Sequence, residues 1–240
     1  VKTIIYTATC LLMATLVFSC KKSDEKRAGT LRIQINHNVD GKPMVWDELT
    51  YRNEAGNTYS IERLQYFLSD FKFYGNRQLV EHIDTVIYVD ARTAAKGPIM
   101  FEDFPFKYID SVSFLIGVTP KYNVSGGLSS TMENAVMDWP QMMGGGYHFL
   151  KLEGRWNDGT QTPGFAMHLG KPGYQVAAGF HCAYLLNEHT QNPLAMTMNI
   201  NEWFRSPHQY DFSKDGVYSM GNEALMLKLK ENGTDVFTVK

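Results

Sequence analysis

Soft-metal donors are concentrated in one stretch of this 240-residue chain, Met137 to Gly170. It carries Met137, Met142, Met143 and Met167, the imidazoles of His148 and His168, the indoles of Trp139 and Trp156, and the run Gly144-Gly145-Gly146. Neutral imidazole suits copper and zinc, and thioether favours Cu(I) over Zn(II), so the chemistry this composition fits is ion binding. The same residues have plainer uses, because Met fills cores and Trp buries area. Enzyme signatures are missing: there is no Gly-x-Ser-x-Gly elbow and no paired-carboxylate constellation, and the triple glycine lacks the Lys-Ser/Thr of a phosphate-binding loop. The glycines fit a turn or bulge that needs positive φ before a strand at Tyr147. The expectation is a binding protein, not an enzyme.

Three histidines are candidate ligands. Alternation puts His37 on the inward face of a first strand with Leu31, Ile33, Ile35 and Val39, where an imidazole is either a ligand or a hydrogen-bonded core residue. His168 shares a face with Ala166 and Gly170, whose small side chains leave room for a second group to approach the ring. His148 is expected on the face of Leu150 and Leu152, as a third ligand or as a partner of one. The expected site is therefore His37 and His168 converging on one copper ion, Cu(I) or Cu(II), with His148 beside them. His82, His181, His189 and His208 read as structural or surface residues.

These side chains must be carried by strands. Short alternating runs bounded by Gly, Asn, Asp and Pro recur along the chain, which predicts an all-β protein, an antiparallel β-sandwich in a single domain. Strands are expected at Leu31 to Val39, Gln65 to Tyr74, Thr85 to Asp90, Ser111 to Val118, Tyr147 to Glu153, Phe165 to Leu169, Gly179 to Leu186 and Leu194 to Ile200. A closing hairpin is expected from Ala224 to Leu229 and Val236 to Val239, turning at Asn232-Gly233. Short helical turns are expected after Ser60, as a cap, and over Asn199 to Arg205. The segment from Thr119 to Gln141 reads as a long loop over one end of the sandwich.

A net charge of −2 with scattered basic residues gives no electrostatic case for nucleic acid. Lys2 followed by an apolar run from Ile4 to Phe18 and then Ser19-Cys20 reads as a secretory signal over residues 1–19. Its ending resembles a bacterial lipobox, so Cys20 is expected to carry lipid, with 20–28 a polar tether and 29–240 the folded domain. Cys10 then leaves with the signal, and Cys182 remains as an inert thiol without a disulfide partner.

Taken in order, several segments resemble the MbnP-like copper-binding proteins: His37-Asn38-Val39-Asp40-Gly41, Tyr59-Ser60-Ile61-Glu62-Arg63-Leu64-Gln65-Tyr66, Gly145-Gly146-Tyr147-His148-Phe149-Leu150-Lys151-Leu152-Glu153-Gly154 after Trp139, Met167-His168-Leu169-Gly170, and Asn232-Gly233-Thr234-Asp235-Val236-Phe237. The resemblance implies a copper-binding lipoprotein, lipid-anchored to the outer membrane on its periplasmic or outward side, that acquires or handles copper. It places recurring histidines at His37 and His168, and it implies a di-haem peroxidase-like partner, associated with relatives in which a Trp is oxidised to kynurenine and joins the site. Ile35, not Trp, stands two residues before His37. The alternative reading is a surface module that binds a glycan or protein through exposed Trp139, Tyr147 and Trp156.

Overall fold

The computed structural model describes residues 28–93, 97–105 and 108–239. The signal segment and Cys20 lie outside the described residues. Among the described residues thirteen strands follow in order: β1 (Ala28–Val39), β2 (Lys42–Pro43), β3 (Tyr51–Arg52), β4 (Thr58–Tyr59), β5 (Arg63–Gly75), β6 (Gln78–Asp90), β7 (Ile99–Pro105), β8 (Tyr108–Ile116), β9 (His148–Arg155), β10 (Gly164–Gly170), β11 (Val176–Leu185), β12 (Gln191–Asn199) and β13 (Phe237–Val239). The helices are short: α1 (Met132–Ala135), α2 (Phe212–Asp215) and α3 (Glu223–Asn232). None among the described residues is long and apolar enough to cross a membrane.

Two sheets pack face to face, as an all-β sandwich requires. The first runs β13-β12-β1, with β2 and β7 both along the remaining edge of β1. The second runs β10-β9-β5-β8-β11, with β6 along the other edge of β5. Aromatic rings from the two sheets meet in the core: Phe71 against Phe101 at 5.3 Å, Phe73 against Phe104 at 4.8 Å, and Phe114 against Phe237 at 5.3 Å. Such edge-to-face pairs add about 0.5–1.5 kcal/mol each beyond the area they bury. One pairing departs from the antiparallel expectation. β1 and β12 run parallel, from Thr30 opposite Gln191 to Asn38 opposite Asn199.

Three local expectations are corrected. Ala224 to Leu229 is not a strand but lies in α3, capped by Asn222, whose side chain accepts from the Leu225 N–H at 3.2 Å. Leu225, Leu227 and Leu229 alternate in sequence, yet Leu227 is exposed, and the buried set Leu225, Met226, Leu229 and Asn232 has helical spacing. Asn232-Gly233 accordingly closes a helix instead of turning a hairpin. Ser60 caps no helix: it is buried, and its Oγ accepts from the Arg155 N–H at 3.1 Å. The third correction is a strand missed altogether, β7. Opposite Gly29 and Leu31 of β1 stand Phe104 and Phe101, so β7 holds one residue too many at a bulge containing Asp103 with φ 51°. Two inward rings three residues apart break the period-two signal.

Candidate metal centre

His37 faces inward, as alternation predicts, and its Nε2 lies 2.9 Å from the Tyr66 hydroxyl. Burial pushes its imidazole down to about 4, so the ring is neutral near pH 7 and accepts a hydrogen bond from the Tyr66 hydroxyl. The ring also lines a mostly apolar cavity of about 280 Å³ between β1 and β6, with Ile33, Ile35, Ile87 and Val89.

The expected convergence of His37 on His168 does not occur, and sheet register gives the reason. Tyr66 pairs with Leu150, and Leu150 pairs with Leu169, so these three side chains share the inner face of the second sheet. His168 precedes Leu169 and therefore projects from the outer face. Two strand spacings, about 10 Å, and the thickness of the sheet separate it from the side chain that His37 contacts.

His168 has a different companion. Its ring centroid stands 5.0 Å from that of His148, at an interplanar angle of 88°. The sequence places His148 on the inner face with Leu150, and a β-bulge overturns this. Leu169 pairs with Leu150, but the next residue, Gly170, pairs with His148, so β9 spends an extra residue there and His148 is turned to the side of His168. The room left by Gly170 is filled by Trp139, whose ring packs 4.7 Å from that of His148. Two further segments close the site. The hairpin of Asp138 and Tyr147 is bent by Gly144, Gly145 and Gly146, all at positive φ as expected. On the other side Ser219 receives the His168 N–H on its Oγ at 2.6 Å and donates back to the His168 carbonyl at 2.7 Å.

Each ring is oriented through one nitrogen. His148 Nδ1 lies 3.1 Å from the Met137 carbonyl, an acceptor only, so that nitrogen carries the proton and Nε2 the lone pair. His168 Nε2 lies 2.9 Å from Glu153 Oε1, and Arg63 holds the same carboxylate oxygen at 3.0 Å. Burial raises the Glu153 carboxyl, but His168 and Arg63 outweigh burial and hold it below its usual range. Its ionised oxygen accepts the Nε2–H of His168, whose Nδ1 is buried and without a partner. Burial, followed by the charges of Lys151 and His168, pushes His148 down to about 3, against the Met137 and Asp138 carbonyls. His148 is thus neutral at pH 7, the form that ligates.

This donor set fits a soft or borderline ion held by two imidazoles, since ligating histidines characteristically give their other N–H to a carboxylate or carbonyl. Among the described residues no group of three or more His, Cys, Asp and Glu side chains is arranged to hold an ion. Met137 and Met167 are fully buried in the core, whereas Met142 is 93% exposed. Sequence reasoning missed Glu153, Arg63 and Ser219. Glu153 is legible afterwards, because it stands diagonally across from His168 on the paired strand.

The other histidines stand as expected. His82 contacts Asp70 at the surface, His208 pairs with Glu231, and His181 and His189 are exposed. Cys182 is a free, partly buried thiol that burial pushes up to about 11. The aromatic surface module is not what the structure builds: Trp139 is 1%, Tyr147 2% and Trp156 8% exposed, so these rings form no exposed row.

Comparison with known proteins agrees with this fold. One solved structure, MbnP from Methylosinus trichosporium, matches with a TM-score of 0.51 and 11% identity, covering 76% of this chain and 80% of that one. At that identity the likeness shows the shared fold alone. No curated protein matches the chain. A family model described as MbnP matches residues 28–224, from the first strand of the sandwich to the start of α3, and the chain belongs to the MbnP family.

Proposed function

We propose that this protein binds copper outside the cytoplasm, acquiring or handling the ion without turning over a substrate, and that His148 and His168 hold it. One arrangement carries the reading: two imidazoles 5.0 Å apart, each tied through one ring nitrogen, with His168 Nδ1 buried and unpartnered. A buried polar atom without a partner costs about 1–3 kcal/mol, a cost that ligation would offset. The sequence resemblance to copper-binding proteins supplies the metal, and the thioethers nearby favour copper over zinc. Residues 1–28 supply the address, a lipid anchor on Cys20 in the cell envelope.

The test is metal analysis and copper titration of protein purified without a His tag. His148→Ala and His168→Ala are each expected to weaken copper binding by at least about a hundredfold, since loss of a supporting residue alone costs 10–100-fold. His82→Ala and His189→Ala are expected to change nothing. Retention of full affinity by either ligand variant, with loss in His37→Ala, would move the centre to the other side of the sheet and end this assignment. The anchor is checked separately by mass spectrometry of the native N-terminus, where a diacylglyceryl adduct on Cys20 is expected. An unmodified N-terminus elsewhere would remove the anchor from the proposal.

A further inference from the structure

Three methionines stand on the segments that enclose the imidazole pair. Met142 is 93% exposed, Met220 is 40% exposed, and Met143 is partly buried. A Met left in water forgoes the burial that stabilises most Met side chains, so an exposed group of them invites another explanation. Their attachment is informative. The Met143 carbonyl accepts from Trp139 Nε1 at 3.2 Å, and Trp139 lies on His148. Met220 follows Ser219, which is bonded in both directions to the backbone of His168. The two segments meet at Gly221, where the Met143 methyl lies 3.7 Å from the place a side chain would begin. Gly221 has φ 82°, a conformation that favours glycine.

We infer that Met142, Met143 and Met220 form a thioether port that receives Cu(I) and passes it to His148 and His168. The inference rests on the copper reading above and adds to it the oxidation state of the cargo and its route. Thioethers are soft and neutral ligands that select Cu(I) over Cu(II) and Zn(II). Transfer is ligand exchange: copper–sulfur contacts are given up as copper–nitrogen contacts form, and the ion stays monovalent. Direct capture by the imidazoles is hindered, since the side chain of His168 is 12% exposed and His148 is 4% exposed.

Two measurements on the mature chain test the port. With methionine methyls labelled by carbon-13, Ag(I), a redox-stable stand-in for Cu(I), is added to His148→Ala/His168→Ala protein whose fold has been checked by circular dichroism. The methyl signals of Met142, Met143 and Met220 are expected to shift, and those of buried Met137 and Met167 to stay. In protein that keeps both histidines, the triple change Met142→Leu/Met143→Leu/Met220→Leu is near volume-conserving, so the fold is expected to hold. Cu(I) uptake from a chromophoric chelator is expected to slow at least about tenfold, while equilibrium affinity moves by less than about threefold. Unshifted methyls, or wild-type uptake in the triple variant, would overturn the port and leave the imidazole centre standing. Shifted methyls in a protein whose histidines take up no copper would overturn the imidazole centre and the relay onto it.

Discussion

Gly170→Ala is expected to cost the domain about 3 kcal/mol or more and to take copper binding with it, the range in which overpacking a closed site is felt. A Cβ at position 170 would lie 2.2 Å from Cε3 of Trp139, 2.5 Å from Cζ3 and 2.7 Å from Cδ2. The indole cannot simply swing away. Its Nε1 is bonded to the Met143 carbonyl, its backbone N–H donates to the Gly146 carbonyl, and its ring lies against His148. Either Trp139 leaves and uncovers His148, or β10 shifts and carries His168 away from it. Urea unfolding monitored by tryptophan fluorescence measures the first cost, and copper titration the second. Gly164→Ala, on the same strand, is the control: its Cβ would have only the Gly154 carbonyl within 4 Å, at 3.7 Å, so a change within about 0.5 kcal/mol is expected. Equal stability of the two variants would mean that Trp139 is not held as described.

Acid is expected to weaken the metal-free domain well before its carboxylates titrate. The His37 imidazole, near 6.5 in the unfolded chain, is held at about 4 by burial, so between those values the unfolded state binds the extra proton. Stability is fully present above about pH 6.5 and falls as the pH is lowered, by about 3 kcal/mol in all on reaching pH 4. Tyr66 does not share this titration, since burial raises its phenol well above the usual value and keeps it a donor. His37→Gln retains an acceptor for that donor and removes the titration. Urea midpoints compared between pH 7 and pH 5 should therefore show a shallower slope in the variant than in wild type. His148, lowered in the same sense, contributes equally to both proteins and drops out of the difference. Parallel slopes would show that His37 does not carry this linkage.

What the sequence made legible follows from which patterns are local. The inward face of β1 was readable because Leu31, Ile33, Ile35 and His37 alternate without interruption. The positive φ of the triple glycine was readable because only glycine adopts such angles freely. The bulges that decide the site left no such mark. One turns His148 from the face of Leu150 to that of His168, and another hides β7 by spacing Phe101 and Phe104 three apart. Partnership across the sandwich was equally silent. Nothing near His37 in sequence announces Tyr66, and nothing near His168 announces Ser219, 51 residues later. Helix α3 misled for a different reason: Leu225, Leu227 and Leu229 alternate as a strand does, Leu225, Met226 and Leu229 have helical spacing, and only burial chooses between the two.

The parallel pairing of β1 with β12 bears on how the chain is made. Thr30 stands opposite Gln191, 161 residues further along, and every rung up to Asn38 and Asn199 spans the same interval. Antiparallel neighbours such as β5 and β6 can zip up as soon as both have emerged, but β1 must wait for nearly the whole polypeptide. At about 5–20 residues per second that wait is on the order of ten seconds or longer, with the strand that bears His37 unpaired along the edge that β12 later occupies. The second sheet, which carries His148 and His168, needs nothing beyond β11 for its strand pairing. The half that carries the two imidazoles can therefore assemble first, while β1, already able to pair with β2 and β7 on its other edge, waits for β12, and β13 joins last.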